Sequence, residues 1–345
     1  MSPNQALPIE AEIASSKHRN HRRFAVGLVA VVTAVFFALL LPVPFHGRAA
    51  TALGDLVHAP LFGSLAFAWL WMWQRIHPME GKGPDSAIRQ GRRLLSRGLT
   101  VWIALTLFGL GMEILQSGMG RTASRHDAVA NSLGIAAAIA GYTAIWFVNH
   151  GRKQVATLFG FVAALILASA WSRPASLLAD VVLMPRQFPL LASFESTPEL
   201  TRWYMRQVKS RLVQRDATDG QFALEVDFLA EDYPAITMVD LVSDWTGHHA
   251  LEIDVTLDSD HPAPTASLMI RIIDEAHRYD HDGTFRKLVT LTRGRSERIQ
   301  ISLEELSIGR DGSPIDLTEV ILVDLAMIAP KSPAKIRFDR LKLGQ

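Results

Sequence analysis

The chain has 345 residues, 49% of them hydrophobic, a formal net charge of +1 and no cysteine. The missing cysteines exclude disulfides, thiolate metal ligands and a cysteine nucleophile. The near-zero charge averages two unlike halves, and the basic residues follow apolar segments rather than one soluble face, so nucleic acid is not an expected partner.

Crossing a ~30 Å hydrocarbon layer takes roughly 20 apolar residues. From the N-terminus, a basic tail (residues 1–23) precedes the first candidate span, Phe24 to Leu41. Four more follow: Pro60 to Trp73 (extended back to Leu56), Leu99 to Leu115, Ala128 to Val148 and Val155 to Trp171. A cleaved signal peptide is the alternative for the first, with Ala49 and Ala50 behind it, but its apolar run exceeds a usual signal core. The expected architecture is a membrane all-α bundle of about five helices over residues 24–171, a linker at 172–185, and a soluble domain over 186–345.

Lys and Arg in short loops orient such a bundle. Lys17, Arg19, Arg22 and Arg23 precede the first span, Arg75 to Arg97 supply six cations before the third, and Arg152 and Lys153 precede the fifth. That side is expected to be cytoplasmic. An odd number of spans then carries the C-terminal domain outside.

Polar groups gather at the expected outer ends of the helices: Asp55 and His58, Glu113 and Gln116, Asp127 and Asn131, with Arg121, Ser124, Arg125 and His126 between. Spacings of three and four place each helical pair on one face. Gly134, Ala138 and Gly141 continue the Asn131 face with small residues that permit close helix packing in lipid. A carboxylate at this depth is a candidate functional group. A structural reading stands beside it, with Asp127 favouring a helix start and Glu113 pairing with Arg121.

The run Glu113-x-x-Gln116, then Arg121, then Asp127-x-x-x-Asn131-x-x-Gly134, with His58 upstream, resembles the signature of VanZ-like membrane proteins over residues 24–148. The resemblance implies a bacterial inner-membrane protein of the cell envelope, associated with glycopeptide (teicoplanin-type) resistance. It makes His58, Glu113, Gln116, Arg121, Asp127 and Asn131 the ligand-binding candidates.

After Pro174, short alternating runs recur at Phe222 to Phe228, Ala250 to Leu257, Ser267 to Ile273, Lys287 to Leu291, Arg298 to Leu303, Glu319 to Ile328 and Lys335 to Leu343. Alternation is the period of half-buried strands, and turn clusters such as Asp219-Gly220 and Asp311-Gly312-Ser313-Pro314 separate them. An all-β jelly-roll sandwich is expected, with one helix near Pro198 to Val213. Phe194-Glu195, Trp203, Asp244-Trp245 and Phe338-Asp339 give this half a resemblance to galactose-binding-like, carbohydrate-binding-module folds.

Trp203, Tyr204, Tyr233, Trp245 and Tyr279 offer aromatic faces for a sugar ring, although Trp245 also suits a core. The run Asp274, Glu275, His277, Asp280, His281, Asp282 reads as a solvated loop, a binding loop or cation ligands. Glu195 and Asp339 are two scattered carboxylates, too few to claim a metal. Neither a Gly-x-Ser-x-Gly elbow, nor His-Glu-x-x-His, nor a P-loop occurs, so neither a nucleophile nor a cofactor is indicated. Three functions are compatible with these features. The chain recognises an envelope glycan or lipid-linked precursor; or it is a membrane-interface hydrolase or transferase using Glu113, Asp127 and His58; or it is an anchor for a carbohydrate-binding domain.

Overall fold

The computed structural model describes Val26, Thr33 and residues 47–79, 84–118, 125–280 and 282–344, excepting the side chains of residues 84–88 and 116. The first expected span lies outside these residues apart from Val26 and Thr33, which are helical. The chain divides into two compact units, Met1–Ala175 and Ser176–Gln345.

Among the described residues, four helices are long and apolar enough to cross a membrane: α1 (Arg48–Ile76), α2 (Pro84–Gly118, apolar over Arg89–Leu115), α3 (Arg125–Asn149) and α4 (Lys153–Gln187). In the first unit, α1 and α3 make the closest pairing. A β-carbon on Gly134 would fall 2.0 Å from the Ala59 carbonyl oxygen, and one on Gly63 would fall 3.0 Å from that of Gly134. The small stripe read from the sequence is therefore a helix–helix contact. Phe62, Leu65, Leu70, Leu105, Ile135 and Trp146 fill the core around it.

Pro60 lies inside α1, where its ring nitrogen cannot donate to the carbonyl four residues earlier. That carbonyl, Leu56 O, instead accepts from Trp171 Nε1 at 3.2 Å. An indole N–H thus repairs the gap the proline leaves, as an apolar surrounding requires.

Residues 172–185, expected as a linker, are helical and belong to α4. From Ser176 onward this helix belongs to the second unit. Asp180 (8% exposed) bonds Arg202 Nη2 at 2.7 Å and Nε at 3.1 Å, and Arg202 also donates to Leu191 O.

The second unit is an antiparallel sandwich. Its strands are β1 (Leu190–Ala192), β2 (Trp203–Arg206), β3 (Val208–Val213), β4 (Ala223–Phe228), β5 (Ala235–Met238) and β6 (Ala250–Leu257). They continue with β7 (Thr265–Asp274), β8 (Phe285–Thr292), β9 (Ser296–Ser302), β10 (Val320–Ala326) and β11 (Ala334–Gly344). One sheet of six orders them β3-β4-β11-β6-β9 with β1 on the far half of β11; a sheet of five orders them β2-β5-β10-β7-β8.

No helix covers Pro198 to Val213. A single 3-10 turn, Pro198–Arg202, gives way to β2 and β3. The backbone of this segment pairs with β5 and β4 in two different sheets, so tertiary pairing overrides local propensity. Phe194, Trp203, Phe228, Ile236, Trp245, Ile270 and Phe338 fill the space between the sheets.

Candidate functional site

The close approach of α1 and α3 brings together polar residues from different helices. His58 precedes Ala59, and Asn131 lies one turn before Gly134, so packing at the glycine sets the two side chains side by side. His58 Nδ1 lies 3.0 Å from Asn131 Oδ1, and His58 Nε2 lies 3.7 Å from Asp127 Oδ2. From α2, Gly109 leaves space for the Asn131 amide, since an added β-carbon would meet Asn131 Nδ2 at 3.3 Å. Glu113, one turn along α2 from Gly109, is 6% exposed, and Asn131 is 3% exposed.

An imidazole held between an amide and a carboxylate can exchange a proton or grip a hydroxyl group. The sequence candidates His58, Asp127 and Asn131 therefore meet, and Glu113 is buried on the facing helix. Gln116 belongs to α2. Arg121 and the side chain of Gln116 lie outside the described residues. Beside this cluster, Ala59, Pro60, Gly63, Gly134, Ala163 and Trp171 contribute to an apolar groove of about 410 Å³.

The sandwich turns two polar faces outward. On the six-stranded sheet, register aligns Arg211, Glu225, Arg337 and Thr256 in one row. Arg337 is 2% exposed and reaches Asp258 at 2.6 Å, Asp216 at 2.7 Å and Glu225 at 3.1 Å. Burial pushes the Glu225 and Asp258 carboxyls up, but hydrogen bonds from Arg211 and Arg337 to the first, and from the Asp260 backbone and Arg337 to the second, hold both below the usual range. Asp254, similarly buried, is lowered by Arg298 and Thr218.

The β3–β4 connection folds over this face. Asp339 accepts from the Asp219 amide at 2.9 Å, and Glu195 accepts from the Gln221 and Phe222 amides at 2.9 Å each. These two carboxylates, weighed in the sequence as cation ligands, are directed at backbone N–H groups.

On the five-stranded sheet, one row is Tyr204–Thr237–Asp324–Arg271–Arg286 and the next is Arg206–Ala235–Ala326–Met269–Leu288. Small Ala235 and Ala326 on β5 and β10 stand between Arg206 on one flank and Met269 and Leu288 on the other, which makes this face a shallow trough. With strands ~4.8 Å apart, it is roughly 19 Å wide. Ala235, Ala326 and Met269 form its apolar floor, with Tyr233 packed on it.

Asp324, 1% exposed, accepts from Thr237 Oγ1 at 2.6 Å and Tyr233 Oη at 2.8 Å, with Arg271 Nη2 at 3.3 Å. Burial and the Asp324 carboxylate push the Tyr233 phenol well up, so it stays a donor. The Arg206 guanidinium lies 5.6 Å over the Tyr233 ring, and Tyr204 is 61% exposed.

Two sugar-contact expectations are corrected. Trp203 and Trp245 are 5% and 0% exposed and sit in the core between the sheets, where neither ring can meet a ligand. Tyr279 is 92% exposed in the β7–β8 loop. In that same polar run, His277 Nδ1 lies 2.6 Å from Asp274 Oδ1, and His281 lies outside the described residues.

No family model and no curated protein matches the chain. Solved structures do match. A family 11 carbohydrate-binding module from Clostridium thermocellum, in complex with a β-1,3-1,4-mixed-linked tetrasaccharide, is 16% identical, covering 45% of this chain and 94% of that one, with a TM-score of 0.36. An exo-β-agarase is 12% identical over 45% of this chain and 24% of its own, with a TM-score of 0.37. A xylan-binding domain of family 22 is 10% identical over 45% of this chain and 92% of its own, with a TM-score of 0.32. The C-terminal sandwich resembles carbohydrate-binding modules.

Proposed function

We propose that this chain is a multi-pass protein of the bacterial cell envelope that recognises a glycan, or the sugar portion of a lipid-linked precursor, on the outer side of the membrane. The observation that carries the reading is the exposed ring of Tyr204, 61% accessible on the outer face of the five-stranded sheet. Around it Tyr233 supplies a second ring, and Arg206, Arg271 and Arg286 supply guanidinium groups. That combination matches a sugar, which has apolar ring faces and a hydroxyl rim.

Three further features support the reading. The four apolar helices have the length and composition of membrane spans. The distribution of Lys and Arg favours an outward sandwich. The VanZ-like spacing coincides with side chains that meet, His58, Asp127 and Asn131, beside a groove that suits a hydrocarbon chain.

The test uses the full chain in nanodiscs, titrated with soluble β-glucan oligosaccharides and peptidoglycan fragments by calorimetry. Tyr204→Ala is expected to weaken binding about tenfold, the equivalent of ~1.4 kcal/mol, without moving the melting temperature. Equal binding by Tyr204→Ala would place the sugar elsewhere.

A second reading, chemistry at the membrane surface, is favoured by the His58–Asp127 pair, which has the form of an acid–base couple. It predicts that Glu113→Gln and Asp127→Asn abolish turnover of a lipid-linked substrate while retaining its binding. Under the anchor reading, both variants would change stability alone.

A further inference from the structure

We propose that Asp274, His277 and Ser313 form an acyl-transfer site at one end of the sandwich, with Ser313 Oγ as the nucleophile toward a carboxylic ester. This goes beyond the glycan reading and does not depend on it. Asp274 ends β7, His277 lies in the loop that follows, and Ser313 comes from the separate loop between α5 (Leu303–Leu306) and β10.

His277 Nδ1 lies 2.6 Å from Asp274 Oδ1, and His277 Nε2 lies 3.5 Å from Ser313 Oγ. Asp274 is 1% exposed, and its second oxygen accepts from the Asp316 amide at 2.8 Å, so the carboxylate is fixed against the imidazole. His277 and Ser313 are only partly buried and can meet a substrate. The three residues stand in the order carboxylate, imidazole, hydroxyl that activates serine in unrelated hydrolases.

Two glycines make the arrangement possible. A β-carbon on Gly283 would fall 2.1 Å from His277 Cδ2, and one on Gly309 would fall 2.4 Å from the Gly283 carbonyl oxygen and 2.9 Å from Ser313 Oγ. Any larger residue would push the histidine loop and the serine loop apart.

With the Nδ1 proton directed at Asp274, neutral His277 keeps Nε2 as the proton acceptor. Ser313 Oγ attacks the acyl carbon, and its proton passes to Nε2. The carbon–oxygen bond to the leaving alcohol breaks, and Nε2 returns the proton to that alcohol. Water then attacks the acyl-serine, His277 takes and returns one proton, and a carboxylic acid leaves with Ser313 restored. A 3.5 Å separation without substrate is compatible with this role, because such bonds tighten on binding.

The Ser313 hydroxyl has a second acceptor. Asp311 Oδ1 lies 2.7 Å from Ser313 Oγ and also accepts from the Ser313 amide. Glu275, Arg278, Asp280, Asp282, Arg310 and Asp316 are charged groups on these loops; Arg278 pairs with Glu275 at 2.6 Å and Arg310 lies 3.5 Å from Asp282. Asp311→Asn keeps an oxygen for the turn while removing the charge that competes for the serine proton.

The full chain in detergent is treated with an alkyl fluorophosphonate, and adducts are located by mass spectrometry. A native-state adduct on Ser313 is expected, absent in Ser313→Ala, at least tenfold slower in His277→Gln and severalfold faster in Asp311→Asn. Wild-type labelling of Ser313 is expected to vanish when the chain is unfolded in denaturant, a readout that needs no variant to fold. No adduct on native wild-type Ser313, or labelling that is as fast in the unfolded chain, would overturn the proposal.

Discussion

On the outer face of the six-stranded sheet, Arg337 is 2% exposed and divides its guanidinium among Asp216, Glu225 and Asp258; on the opposite face, Tyr204 is 61% exposed and Asp324 is the single buried carboxylate of its row. Both faces alternate polar and apolar residues with the same period. The first closes on itself, since Arg337 and Arg298 pair the buried Glu225, Asp258 and Asp254 and the β3–β4 connection is tied to Asp339 over it. The second leaves rings and guanidinium groups on a trough with a small-residue floor. Charge density therefore does not separate the two faces; the exposed ring of Tyr204 does.

The comparison predicts different responses on the two faces. The largest effect is expected from Arg337→Met, which leaves Asp258 buried without its cation and Glu225 with Arg211 alone. Breaking such a network costs about 3–5 kcal/mol, read as a large fall in the sandwich's melting temperature, with glycan binding intact at low temperature. A melting temperature within a degree or two of wild type would show that the six-stranded face is not held by its ion pairs.

On the trough, Asp324→Ala removes the acceptor shared by Tyr233, Thr237 and Arg271. It is expected to cost about 1–3 kcal/mol in stability and to disorder the binding face as well. Tyr204→Ala, by contrast, should act on binding alone. If Asp324→Ala leaves glycan affinity unchanged, the trough is not organised by its buried carboxylate.

The smallest effect is in pH dependence. Glu225, Asp254 and Asp258 have folded values below their ordinary ones, so their contribution is present above the ordinary carboxylate range near ~4 and is lost as pH falls through the lowered values. Asp339 runs the other way. Burial raises it despite the amide donors, so its contribution is present at low pH and is lost as pH rises through the raised value. Asp339→Asn should therefore flatten the loss of stability on the alkaline side of the carboxylate range, read from melting temperature against pH.

Much of this was legible in the sequence, and the failures have physical causes. The strand Ala250 to Leu257 was recovered with its bounds because both neighbours, β11 and β9, cover it and its apolar face is continuous. Strands β1, β2, β3 and β5 were not, being short or bordered by Gln207 with its positive φ rather than by glycine turns. His58, Asp127 and Asn131 were legible because helical spacing fixes a face. Trp203 was not, because in a strand one residue decides the side: Trp203 enters the core and Tyr204 meets solvent. Ser313 carried no local signature, since its partners come from a distant loop and only the turn geometry brings them together.

Glycan recognition by the sandwich is decided by calorimetric titration of the full chain in nanodiscs, wild type beside Tyr204→Ala and Arg271→Ala, with peptidoglycan fragments and β-glucan oligosaccharides. The account predicts saturable binding to at least one of them, about tenfold weaker in each variant. Absence of binding to every glycan by a folded protein, or undiminished binding by both variants, would contradict it.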